Sequence, residues 1–171
     1  MQNKTTLRLA IAALLIAIDV VTSPLFRIEG MAPMSSVLNV IIGCLVGPFY
    51  AFAITLMTGI IRMLILGIPP LALTGAVFGG VLSALFYRWT NRVGGAWLGE
   101  IIGTGIIGSL LSYPIMILFT GSSNGLYWFI YTPRFLAATL FGGLVGTILT
   151  KILLKSPHFL RYQQLFSKLK L

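Results

Sequence analysis

The stretch VLNVIIGCLVGPFYAFAITLMTGIIRMLIL, residues 37–66, decides the fold. It is too long for one ordinary crossing, because about 17 to 25 apolar residues span a hydrocarbon core of about 30 Å. Gly47-Pro48 divides it, since a proline cannot continue the hydrogen-bond ladder of the turn before it. The stretch therefore reads as two helices, Ser35 to Val46 and Phe49 to Leu66, the second ended by Gly67-Ile68-Pro69-Pro70. The competing reading is a single steeply tilted span.

Working outward, the other apolar runs are Leu7 to Ser23, stopped by Pro24; Leu71 to Tyr87; Trp97 to Phe119; and a last one opened by Pro133 and running to Leu154. Polar connectors separate them at Phe26–Gly30, Arg88–Gly95 and Thr120–Thr132. The sequence thus predicts an all-α integral membrane protein. Residues 1–156 form a compact six-transmembrane-helix bundle, and residues 157–171 a basic amphipathic cytoplasmic tail. In that tail Phe159, Tyr162, Leu165, Phe166 and Leu169 recur at helical spacing among Arg161, Lys168 and Lys170. The pattern predicts a helix lying on the inner leaflet. Lys4 and Arg8 precede the first run as in a signal peptide, but its end lacks a small-residue cleavage pattern and carries Asp19, so it is read as a retained helix.

Composition agrees. Of 171 residues, 57% are hydrophobic and 9% charged, whereas a soluble domain carries about 25% charged residues. The net charge of +9 has a membrane explanation. With a cytoplasmic amino terminus and six crossings, nine of the twelve basic residues fall on the cytoplasmic side: Lys4, Arg8, Arg88, Arg92, Lys151, Lys155, Arg161, Lys168 and Lys170. Loops rich in Lys and Arg stay inside, so both termini are expected in the cytoplasm. A five-helix arrangement would put the basic tail outside. No nucleic-acid partner is needed to account for the charge.

Catalytic sets are missing. Cys44 is the one cysteine and His158 the one histidine, which leaves no thiolate cluster and no two-histidine zinc site. Lys155-Ser156 lacks the glycines of a Walker A loop. Asp19 has no second aspartate for an aspartyl protease, and Ser109 has no intramembrane histidine. Neither an enzyme nor a cofactor is expected.

What remains is recognition. Charged side chains in membrane segments are costly and face the protein interior. Arg62, Arg134 and Asp19 fall toward the outer ends of their helices; each is either a structural charge or a ligand contact. Glu100 near the inner start of the fifth helix either complements the helix dipole or binds ligand. Tyr113, Tyr127, Trp128 and Tyr131, with Asn124, form either an interfacial belt or the wall of an outer pocket. Asn39, Thr104, Ser109 and Ser112 supply polar groups to such a pocket, and Phe26 to Pro33 is its expected lid. The outer arginines are roughly balanced by acids, which favours a small, neutral or weakly charged heterocycle over a polyanion. Gly43/Gly47, Gly75/Gly79, Gly99/Gly103 and Gly142/Gly146 are spaced by four, as at close helix contacts. Ala10, Ala13 and Ala17 form a small-residue stripe facing either another helix of this chain or another subunit.

Several motifs, in order, resemble the ThiW family: Met31 to Asn39, Gly47-Pro48, Ile61-Arg62-Met63, Gly67 to Gly79, Gly99 to Pro114 and Pro133-Arg134-Phe135. The resemblance covers most of residues 7–155 and not the tail. It implies a substrate-binding S component of an energy-coupling factor (ECF) transporter in a bacterial plasma membrane. Such a protein captures the thiamine precursor hydroxyethylthiazole outside the cell. A transmembrane T subunit and two ATPase subunits then drive import. Ala13-Leu-Leu-Ile-Ala17 fits the alanine-x-x-x-alanine pattern by which S components of this kind meet the T subunit. The binding residues expected are Asn39, Arg62, Tyr113, Trp128, Tyr131 and Arg134, with Glu100 and Asn124. A stand-alone ion-coupled transporter of a small heterocycle is the alternative, with Asp19 or Glu100 as its coupling residue.

Overall fold

The computed structural model of the chain describes residues 4–27, 32–123 and 125–167. Among them are seven helices and no strand. They are α1 (Lys4–Leu25), α2 (Pro33–Val46), α3 (Pro48–Leu66), α4 (Leu71–Thr90), α5 (Val93–Thr120), α6 (Thr132–Leu153) and α7 (Pro157–Ser167). Five of these, α1, α3, α4, α5 and α6, are long and apolar enough to cross a membrane. Where the sequence predicts six crossings, α2 has only fourteen residues. At a rise of 1.5 Å per residue it reaches about 21 Å, less than the hydrocarbon core of about 30 Å.

The length of α2 has a physical reason. It is the central helix, packed on α6, α4 and α5, and ten of its residues are buried. A helix enclosed by protein is not obliged to match the thickness of lipid. Its turn into α3 consists of Gly47 alone, at φ 79° and ψ 166°. That left-handed φ suits glycine, which has no Cβ to clash. Pro48 then opens α3, where its missing N–H belongs to a group that has no intrahelical partner anyway.

Backbones approach closely wherever glycine permits. A Cβ on Gly99 or Gly103 of α5 would overlap the Leu82 or Phe78 carbonyl of α4. One on Gly142 of α6 would overlap the Pro33 carbonyl of α2, and one on Gly146 would stand 2.8 Å from the Val37 carbonyl. The spacing of four thus marks intramolecular contact at these pairs. Gly47 differs, serving a turn.

Two features depart from expectation. The connector between α4 and α5 shrinks from Arg88–Gly95 to Asn91 and Arg92, because only these two leave helical geometry, Asn91 at φ 53° and Arg92 extended, and the Asn91 N–H still caps on the Tyr87 carbonyl at 2.8 Å. In addition, α5 is not uniform. Ile101–Gly108 winds as a π-helix between α-helical ends. Its glycines let the wider turns lie against α4, and the Ser109 and Ser112 hydroxyls donate to the Gly105 and Gly108 carbonyls at 2.7 Å.

α1 and α7 are peripheral. α1 buries only Leu15, Asp19 and Ser23, a stripe at intervals of four. The apolar side of α7 does not lie free for lipid. Phe159 and Phe166 are buried in the cluster formed by Leu15, Ile42, Leu45, Ala51 and Ile54. Phe166 meets Tyr50 edge-on at 4.9 Å. The Gln163 side chain donates to the Cys44 carbonyl at 2.8 Å, supplying a partner in the last turn of α2. Arg8 Nε donates to the Leu165 carbonyl at 2.8 Å. The Gly47 end of the bundle leaves apolar side chains uncovered, and the tail aromatics fill that space. Lys168, Leu169 and Lys170 lie outside the described residues.

Candidate functional site

The polar interior is concentrated at the end of the bundle where α1 and α3 finish and α2 begins. Ser23 lies one turn after Asp19 on α1 and donates to its carboxylate at 2.6 Å. From α3, Arg62 reaches the same carboxylate in a buried ion pair and donates also to the Asp19 carbonyl at 2.9 Å. Arg62 Nη1 donates to Ser35 Oγ at 3.3 Å, while its Nε has no partner among the described residues.

A small cavity, open at this end, is built around these groups. Its polar lining comprises Arg27, Arg62 and Arg134 with the hydroxyls of Ser23, Ser35, Ser36 and Thr104. Its apolar wall includes Ile68, Leu71, Ala76, Phe135 and Ala138. Among the described residues no carboxylate lines it: Asp19 is paired with Arg62, and Glu100 lies beyond the floor formed by Ser36 and Thr104.

Glu100 is fully buried below that floor. Asn39 Nδ2 donates to both its oxygens, at 3.3 and 3.1 Å, and Ser36 and Thr104 also hydrogen-bond it. The Thr104 hydroxyl also donates to the Gly75 carbonyl at 2.7 Å. No cation pairs with Glu100 among the described residues. Gly79 makes room for this arrangement: a Cβ there would overlap Thr104 Oγ1 and Glu100 Oε2 and stand 2.7 Å from Asn39 Nδ2.

The residues expected from sequence divide into groups. Arg62 and Arg134 line the cavity. Asn39 and Glu100 form a bonded pair beneath it. Tyr131 is buried against Phe135, with ring centroids 6.5 Å apart, and so backs the wall from one residue away. Tyr113 and Trp128 pack on each other at 4.6 Å and are not among the lining residues. Asn124 lies outside the described residues, as do residues 28–31 of the expected lid, whose flanks Arg27 and Ala32 line the cavity. Sequence reasoning missed Ser23, Ser35 and Ser36 as lining residues. Helical spacing carried the signal: Ser23 follows Asp19 by four, and Ser35 and Ser36 precede Asn39 by four and three, one turn away on the same face. Ala13 and Ala17 are exposed on the face of α1 opposite its buried stripe, beside Leu14, Ile18 and Val21.

A second cavity lies at the Gly47 end, lined by Cys44, Gly47, Tyr87, Arg88, Gln163 and Phe166 among others. It shares no lining residue with the first.

Comparison with known proteins gives one match. The model of the family described as thiamine-precursor transporter protein (ThiW) matches residues 9–156. No curated protein and no solved structure matches.

Proposed function

We propose, from the premise that the chain belongs to the ThiW family of thiamine-precursor transporters, that it is the substrate-binding S component of an ECF transporter. The ligand is a thiazole precursor of thiamine, hydroxyethylthiazole in the first instance. It enters the Arg62 cavity from outside the cell. A transmembrane T subunit and two ATPase subunits in the bacterial plasma membrane complete the importer.

The observation that carries this reading is the Arg62 cavity, which shares no lining residue with the cavity at the Gly47 end. A small cavity with an aromatic and aliphatic wall, hydroxyls and a few charges holds a small ring compound. Its floor is closed by Asn39 and Glu100, so occupation alone gives no passage. A receptor that depends on partners for the rest of the cycle has this form. The exposed Ala13 and Ala17 allow a partner helix to approach the backbone of α1 closely.

In the proposed topology α2 is the second of six crossings, short because protein surrounds it. Both termini are cytoplasmic, and the Arg62 end faces outward. The Asn39, Arg62, Glu100, Tyr131 and Arg134 group forms the binding region. Tyr113 and Trp128 border its entrance.

Calorimetry on the purified chain, without partners, tests the ligand assignment. Saturable heat with hydroxyethylthiazole is the expected result; no heat with any thiamine-related thiazole refutes it. One observation favours an ion-coupled transporter as second reading: Glu100 is a buried carboxyl held by the Asn39 amide, with no cation partner among the described residues. Uptake by proteoliposomes containing this chain alone, driven by a proton or sodium gradient, would establish that alternative.

A further inference from the structure

The charges that line the cavity have one sign. Arg27, Arg62 and Arg134 all contribute to the wall, and among the described residues no Asp or Glu does. The whole chain holds three acids, Asp19, Glu29 and Glu100. Asp19 is committed to Arg62. Glu100 is held beneath the floor by an amide and two hydroxyls. Glu29 lies outside the described residues. Even if Glu29 is counted against the cavity together with Asp19, one arginine has no counterion. The rough balance of outer charges read from the sequence therefore leaves a positive remainder where it matters.

Donor capacity points the same way. Arg62 is 2% exposed, yet its Nε has no partner among the described residues. Ser35 Oγ accepts from Arg62, which leaves the hydroxyl hydrogen of Ser35 free to donate. Arg27 and Arg134 are exposed beside the cavity, whereas Arg62 Nε is a buried donor with no partner among the described residues, which is costly when the cavity is empty. A charged ligand acceptor offsets that cost and also meets the exposed arginines, and charge-assisted hydrogen bonds to arginine are the strong ones.

We propose that this cavity selects a small ring compound carrying one anionic group, a carboxylate or a phosphate ester. The anion would be held by Arg134, Arg62 and Ser35, and the ring would lie against Phe135 and Leu71. The inference rests on the small-ring receptor reading above and narrows its substrate class. An anionic lipid headgroup offers the same chemistry as a soluble anion, so the test must separate the two.

The experiment is calorimetry on the full chain in phosphatidylcholine nanodiscs, with and without phosphatidylglycerol. The probes are hydroxyethylthiazole, its phosphate ester and 4-methylthiazole-5-carboxylate. At least one anionic thiazole is expected to bind roughly tenfold or more tightly than the neutral alcohol, in both disc types. In Arg134→Gln that ratio collapses toward one, and Arg134→Lys retains most of it, which excludes simple misfolding as the cause. Neutral thiazole binding as tightly as the anionic ones overturns this inference and leaves the receptor reading intact. Absence of binding by all three thiazoles overturns the receptor reading as well. If soluble anions gain nothing in phosphatidylcholine, while phosphatidylglycerol stabilises wild type and not Arg134→Gln, the arginines serve lipid headgroups and the proposal falls. A preference unchanged in Arg134→Gln also overturns it, by placing the anion elsewhere.

Discussion

Arg62 on α3 holds Asp19 on α1 twice, through its carboxylate and through its backbone carbonyl. This is the one ion pair among the described residues. It also ties down a helix that otherwise buries little. Removing one member of a buried pair strands the other charge, at a cost of about 3 to 5 kcal/mol. Asp19→Ala and Arg62→Ala are therefore each expected to lower the thermal midpoint in detergent sharply. Asp19→Leu combined with Arg62→Met should recover much of the loss. Single variants as stable as wild type would show that the pair does not hold α1.

Gly79 and Gly94 make a matched pair of substitutions. Alanine at Gly79 drives a methyl into Thr104, Glu100 and Asn39, and overpacking of this kind costs about 1 to 3 kcal/mol. Ligand affinity should fall with it, because Thr104 lines the cavity floor. Alanine at Gly94 meets nothing within 4 Å and lies in a helix, where it is expected to stabilise by up to about 1 kcal/mol. Thermal shift and calorimetry on the two variants check both signs.

Cys44 is a ready reporter for the tail. It is 2% exposed, and Gln163 covers its carbonyl. A thiol-reactive maleimide should leave the native protein unlabelled and react as it unfolds. Phe166→Ala removes a ring that is 2% exposed and packed on Tyr50, a loss of about 3 kcal/mol for a large core side chain. Labelling of Cys44 should then begin at a lower temperature. Unchanged labelling in Phe166→Ala would mean that the docked tail does not seal this end.

Topology is open to a labelling test in a Cys44→Ser background. Six crossings put Thr6→Cys, Gly94→Cys and Lys155→Cys on the cytoplasmic side and Ser123→Cys outside. An impermeant maleimide should reach Ser123→Cys alone in intact cells. If α2 and α3 together crossed only once, Thr6→Cys and Gly94→Cys would label from opposite sides.

Helix limits were the legible part of this chain. Proline and glycine act locally, so Gly47-Pro48 and Pro133 announced their boundaries within a residue or two. The winding of Ile101–Gly108 was not announced, since a π-helix there depends on how closely α5 lies against α4. Among site residues, Arg62 and Arg134 were recognisable because charge in an apolar run demands an explanation. Ser35 and Ser36 were overlooked because small hydroxyls are common in membrane helices and become informative only beside Arg62 and Glu100. Tyr113 and Trp128 stayed ambiguous because their rings suit a pocket wall or an interfacial belt equally, and the chain packs them on each other. Docking of the tail was hidden for a related reason, as an amphipathic pattern does not say whether lipid or protein will cover its apolar side.

The bond between Asn39 and Glu100 joins residues 61 positions apart. A ribosome delivers Asn39 first, and the helices that will surround it are still unmade. Its amide must pass that interval among acyl chains or against α1 and α3, without the acceptor it finally meets. Biogenesis of this bundle therefore includes a waiting stage, in which α2 stands as half of a hairpin until α5 arrives to enclose it.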